Sequence, residues 1–203
     1  MKKLVLILLL SSFSFAQNAE RKFIEIEKLS DGVSVTVSDG IYLINYLNNK
    51  IVETSFIPNG EKNNFKSQAV VLSTKLKNLA FKENKNTIEY VSKTSSIKII
   101  IQKSPFKISY FNNNAEIISE KAGFIKKNDS TQILQFNISK DEKLFGGGAR
   151  ALGMNRRGNR LRLYNRAHYG YETHAELMNF CISLVLSSNL YAVHFDNPAI
   201  GYL

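Results

Sequence analysis

Val33-Ser34-Val35-Thr36-Val37-Ser38-Asp39-Gly40-Ile41-Tyr42-Leu43-Ile44 is the stretch on which the fold turns. From Val33 to Val37 apolar β-branched residues alternate with hydroxyl residues. A period of two puts one face of an extended chain toward a core and the other toward water. Ser38-Asp39-Gly40 then interrupts with turn-forming residues, and Ile41 to Ile44 resumes the apolar run. The stretch reads as strand, turn, strand. Upstream, Phe23-Ile24-Glu25-Ile26-Glu27 alternates in the same way. Downstream, Asn48-Asn49-Lys50 leads into Ile51-Val52-Glu53-Thr54-Ser55-Phe56.

The same signature recurs along the chain. Strand-like runs are Ala69–Leu72, Thr87–Val91, Ile97–Ile101, Phe106–Tyr110, Ile133–Ile138, Phe180–Leu186 and Tyr191–Phe195. Each is short, rich in β-branched and aromatic residues, and bounded by Asn, Gly, Ser or Lys. No segment of comparable length carries a 3.6-residue period, and no internal repeat or Pro/Gly-rich linker is present. Many short strands at close spacing belong to a sandwich or a barrel. The expectation is an all-β chain: two packed, mainly antiparallel sheets between about Phe23 and Leu203, a β-sandwich with at most short helical turns.

The N-terminus reads differently. Met1-Lys2-Lys3 is basic, Leu4 to Leu10 is unbroken apolar, and Ser14 and Ala16 place small residues where a signal peptidase reads. This is the layout of a secretory leader cleaved after Ala16. The apolar run is well short of the ~20 residues that span a bilayer. Residues 1–16 are therefore expected to be a signal peptide, and residues 17–203 an N-terminal β-sandwich domain, incomplete at its C-terminal end because the chain stops inside a strand-like run. The expected location is outside the bacterial cytoplasm, in the periplasm or beyond, with no membrane span.

Composition fits one domain with a sizeable core. The chain has 203 residues, 44% of them hydrophobic. Its one cysteine, Cys181, sits in the apolar run Phe180-Cys181-Ile182 and reads as a small buried hydrophobe. The net charge of +10 is uneven: six arginines fall between Arg150 and Arg166, with no acid among them. Such a cluster is the footprint of a nucleic-acid patch, but an exported chain argues against that partner, and none is expected.

Several chemistries can be tested against residues 140–203. Gly146-x-Gly148-x-x-Ala151 matches the letters of a dinucleotide fingerprint but lacks the βαβ context that gives them meaning, and Gly153-Met154-Asn155 does not supply a phosphate-loop lysine. His168, His174 and His194 match no common metal spacing, no serine sits in a nucleophile elbow, and Glu172 and Glu176 lie in a loop-like stretch. No metal and no cofactor are expected. What remains is a loop dense in Arg, Asn, His and Tyr. Aromatic rings pack on the apolar faces of sugars while Arg and Asn supply directional donors, so the loop suits a hydroxyl-rich ligand.

At this segment the sequence resembles a known family. Phe145-Gly146-Gly147-Gly148-Ala149-Arg150, Met154-Asn155-Arg156-Arg157-Gly158, Tyr164-Asn165, Tyr169-Gly170-Tyr171 and Phe195-Asp196-Asn197-Pro198 are similar, in order, to motifs that close the N-terminal domain of glycoside hydrolase family 31. That family holds α-glucosidases, α-xylosidases and α-transglucosylases. Asn49–Pro58 and Ile97–Ser119 are more loosely similar to its opening strands. Two positions depart: Ala149 stands where the family usually has glutamate, and Ala167 where some members place an acid that contacts sugar.

The resemblance implies a galactose-mutarotase-like sandwich followed, beyond Leu203, by a catalytic (β/α)8 barrel. Two barrel aspartates would act by a retaining route, so no catalytic residue is expected in this chain. The Tyr164–Tyr171 loop would lie over the barrel mouth, with Asn165, Arg166, His168, Tyr169 and Tyr171 binding substrate and Gly170 allowing a sharp turn. Arg156, Arg157, Arg160 and Arg162 would be structural. The implied partners are an α-linked oligosaccharide and the chain's own barrel. Hydrolysis and transglycosylation both stay open, as does a non-catalytic carbohydrate-binding or structural sandwich.

Overall fold

The structure, a computed structural model, describes residues 20–63, 67, 69–72, 76, 79–128, 130–167, 170, 172 and 180–203. The leader expected at residues 1–16 lies outside them. Among the described residues there is no helix.

Two meanders make the body. β1 (Phe23–Lys28), β2 (Gly32–Val37), β3 (Gly40–Asn48) and β4 (Ile51–Pro58) form one antiparallel sheet in chain order. β5 (Leu79–Glu83), β6 (Thr87–Ser92), β7 (Ile97–Lys103), β8 (Phe106–Asn112), β9 (Ala115–Asn128) and β10 (Thr131–Asn137) form a second, again joined neighbour to neighbour. The turn read at Ser38-Asp39 closes a hairpin in which Val37 faces Gly40, Val35 faces Tyr42 and Val33 faces Ile44. All of these but Gly40 carry apolar side chains buried in the core.

The alternation of the sequence becomes the core. Val33, Val35, Val37, Tyr42, Ile44 and Tyr46 from the first sheet meet Ile88, Tyr90, Ile99, Ile101, Phe106 and Ile108 from the second. At about 1.5–3 kcal/mol for each fully buried aliphatic or aromatic side chain, this contact is the main stabilising term. Polar bonds also cross between the sheets. The Tyr46 hydroxyl lies 3.1 Å from the Tyr90 carbonyl and 2.9 Å from that of Ile97. The Thr54 and Tyr110 hydroxyls share a bond of 2.8 Å.

One end of the sandwich holds a buried polar cluster. Arg21 donates to both Asp39 oxygens at 2.7 Å, to the Tyr42 hydroxyl at 2.5 Å and to the Phe124 carbonyl at 2.7 Å. Its guanidinium also lies 4.6 Å from the Phe56 ring centre. The Tyr42 hydroxyl donates in turn to Glu120 over 3.5 Å. A bulge in β9 creates the room: Gln135 pairs with Gly123 and Phe136 with Glu120, leaving Lys121 and Ala122 extra. Gly123 has φ +60°, and a Cβ there would come within 2.8 Å of the Tyr42 hydroxyl, so glycine is required.

The last sixty residues add two small sheets, so the architecture is a two-sheet sandwich with extensions. β11 (Leu144–Gly146), β13 (Leu184–Ser187) and β14 (Ala192–His194) form one, and β12 (Arg162–Leu163) pairs with β15 (Gly201–Tyr202) in the other. Two strand expectations need correction. Ala69–Leu72 is not a strand: it pairs with nothing among the described residues, and Val71 is 90% exposed. Of Phe180–Leu186 only the part from Leu184 pairs, because Phe180 and Cys181 instead pack over Gly148.

Candidate functional site

The site is built on the glycine triplet that ends β11. Gly146, Gly147 and Gly148 all have positive φ, at 103°, 73° and 88°. The Gly147 N–H donates to the Leu184 carbonyl at 2.9 Å and Ala149 N–H to the Phe180 carbonyl at 3.0 Å. A Cβ on Gly148 would lie 2.5 Å from Cys181 Cα. These glycines let two backbones touch, and no helix follows them. The triplet therefore gives no dinucleotide cradle, which needs free N–H groups at a helix start.

Arginines brace this platform from outside. Arg150 donates to the carbonyls of Gly147 at 2.9 Å and Arg162 at 2.5 Å. Arg156 donates to the carbonyls of Gly146, Leu152 and Gly153. Arg157 donates to those of Ser139 at 2.6 Å and Glu142 at 2.8 Å. Arg160 stacks on the Tyr202 ring at 3.8 Å, and Arg162 on Tyr164 at 5.5 Å. Five of the six arginines are thus spent on loop carbonyls and rings of their own chain, which accounts for most of the cluster's density without a polyanionic partner; Arg166 is exposed.

Beneath the platform lies Glu142, a buried carboxylate that sequence reasoning missed. It accepts from the Ser187 hydroxyl at 2.5 Å, from the Tyr191 hydroxyl, and from the Ser139 N–H at 2.9 Å. Burial alone would raise its pKa. The three hydrogen bonds and the nearby Arg157 charge outweigh that and hold the carboxyl below the usual carboxylate range. The Tyr191 hydroxyl is pushed upward, by burial first, then by its hydrogen bond to Glu142 and by the Glu142 charge. Nothing local in Asp141-Glu142-Lys143 signals this burial, because the two hydroxyl partners, Ser187 and Tyr191, lie more than forty residues away.

Of the five residues read as substrate-binding, Asn165 and Arg166 are described. Both are exposed. The Asn165 side-chain carbonyl accepts from the Cys181 N–H at 2.6 Å, which ties it to the platform. Ala167 and Gly170 are exposed, and Gly170 has φ +74°. His168, Tyr169 and Tyr171 lie outside the described residues, as do His174 and Glu176. His194 is exposed on β14. An open depression lined by Lys28, Leu79, Ala80, Phe81 and Lys93 lies at the edges of the sandwich and includes none of these positions.

Two stacked antiparallel meanders, extended by small sheets that carry a glycine-backed, arginine-braced loop, define an all-β sandwich domain. The model of the glycosyl hydrolase 31 N-terminal galactose mutarotase-like domain matches residues 42–203. The chain belongs to glycoside hydrolase family 31. A family 31 dextranase of Flavobacterium johnsoniae, solved with isomaltotriose, superposes with a TM-score of 0.81 at 20% identity, over 91% of this chain and 23% of that one. The family 31 α-xylosidase of Xanthomonas citri superposes at 0.68 and 21% identity, over 87% and 19%. The cycloalternan-forming enzyme of Listeria monocytogenes, solved with a pentasaccharide, superposes at 0.66 and 15% identity, over 86% and 17%. The chain thus spans about a quarter of the dextranase. No curated protein sequence matches it.

Proposed function

We propose that this chain is the N-terminal domain of an exported, retaining α-glycosidase or α-transglucosylase. Its ligand is an α-linked oligosaccharide, and its task is to present the 164–171 loop to the sugar pocket of a catalytic barrel. The observation that carries the reading is the family match over residues 42–203, which includes the whole braced platform. Arg166 supplies a charged donor at the exposed rim. His168, Tyr169 and Tyr171 supply rings and hydroxyls, and the loop helps exclude water from the reacting bond. The nucleophile and the acid are barrel aspartates, so the chain alone performs no turnover.

The experiment is made in the longer enzyme. His168→Ala and Tyr169→Ala each lower kcat/KM for an α-glucoside about tenfold, equivalent to about 1.4 kcal/mol, with thermal stability kept. The isolated chain leaves p-nitrophenyl α-glucoside intact, and the secreted product begins at Gln17. Unchanged kinetics in both variants, on small glycosides and on oligosaccharides alike, would reduce the loop to packing and remove its place in the pocket.

A further inference from the structure

We infer that Asn165 is a positioning residue: its side-chain carbonyl closes the neck of the 166–180 loop instead of touching the sugar. Three chain segments meet at one point. The Asn165 carbonyl takes the Cys181 N–H at 2.6 Å, sixteen residues along the chain. The preceding carbonyl, of Phe180, takes the Ala149 N–H at 3.0 Å. Cys181 Cα and the Phe180 carbonyl oxygen lie 2.5 and 2.6 Å from the place a Gly148 Cβ would occupy. The loop therefore leaves and rejoins the platform at the same place.

The entry side is held independently. Leu161 and Leu203 exchange two backbone bonds, of 2.8 and 2.9 Å. Arg162, whose Nε is buried without a hydrogen-bond partner, stacks on Tyr164. The ring just before Asn165 is thereby fixed in direction. On the exit side Cys181 is buried, and its N–H would be left unsatisfied without Asn165. Fixing the two ends of a segment at one place lowers the entropy cost of ordering what lies between them, and that is the contribution a neck makes to a binding loop. The role needs an acceptor at position 165 and no donor, which separates it from sugar binding, where the amide N–H2 would also be used.

The kinetic part rests on the pocket reading above, and the exchange part does not. In the longer enzyme, hydrogen exchange of the Cys181 amide is measured without substrate, beside kcat and KM on an α-linked oligosaccharide. Asn165→Ala speeds exchange at Cys181 by about tenfold or more and lowers kcat/KM about tenfold, mostly through KM, while Tm stays close to the parent value. Asn165→Asp, which keeps the acceptor, restores slow exchange and most of kcat/KM. Unchanged exchange in Asn165→Ala overturns the inference. So does an Asn165→Asp enzyme with slow exchange but kinetics as poor as the alanine variant, since the amide would then be touching sugar. An enzyme inert on every glycoside would refute the pocket reading and leave the exchange result to decide the neck.

Discussion

Glu120→Gln probes the buried cluster through its pH dependence. Glu120 is 5% exposed, and burial pushes its pKa up to about 7 from 4.5. The Arg21 charge, the Tyr42 hydroxyl and the Ile108 backbone pull it down only in part. Below pH 4.5 the carboxyl is protonated in the folded and the unfolded chain, so its titration contributes nothing. Between 4.5 and about 7 the unfolded chain gives up the proton and the folded chain keeps it. Stability therefore falls as pH rises, by about 1.4 kcal/mol per unit. The loss reaches about 3 kcal/mol at neutrality and levels off above it. Glutamine keeps the shape and an acceptor for Tyr42 but cannot ionise. At pH 8 the variant should be the more stable by about 3 kcal/mol, roughly 6–12 °C in Tm for a domain of this size. Near pH 4.5 the two should coincide. Urea unfolding followed by circular dichroism at both pH values reads the difference. A variant less stable than the parent at pH 8 would mean that the Arg21 charge stabilises the ionised Glu120 by more than burial penalises it, and the argument would fail.

Two further outcomes concern the platform. Glu142→Gln should cost about 1.5–3 kcal/mol near neutral pH, the worth of charge-assisted bonds to Ser187 and Tyr191. Because the Glu142 pKa is lowered on folding, that stability is present above the ordinary carboxylate pKa and is lost as pH falls through the folded value. Denaturant titration across the acid range should show the parent converging on the variant. Gly148→Ala combines a φ of +88° with a Cβ 2.5 Å from Cys181 Cα. It should cost about 2 kcal/mol or more, read as a fall in Tm, and an unchanged Tm would mean that the two backbones separate freely.

The sandwich was legible where the chemistry is local. Val33–Val37, Ile97–Ile101 and Phe106–Tyr110 alternate, and each became a strand with its apolar side in the core. The failures have physical reasons. β9 was missed because its bulges and its Glu and Lys residues break the period, even though Ala122 and Phe124 are buried. Ala69–Leu72 has the right residue types but pairs with no strand among the described residues, and apolarity without a partner does not make a sheet. β5 was missed because an edge strand exposed along most of its length shows little alternation. Nothing in the local sequence marks Arg21 or Glu142 as buried, since their burial depends on partners far along the chain. At the loop, the family resemblance pointed Asn165 toward sugar, and nothing local signalled its bond to Cys181, sixteen residues further on.

The polar bonds between the two meanders have a consequence for uniqueness. Apolar contact is non-directional: it makes two sheets adhere without specifying where one lies on the other. Within each sheet the hairpins set the alignment, but no ladder runs across the core. The Tyr46 hydroxyl between the Tyr90 and Ile97 carbonyls, the Thr54–Tyr110 pair and Arg21 on the Phe124 carbonyl act as dowels. Each fits at one offset only, and a slip of one residue would strand a buried donor in hydrocarbon. The grease holds the layers together, and the dowels decide which of many greasy stackings is the native one.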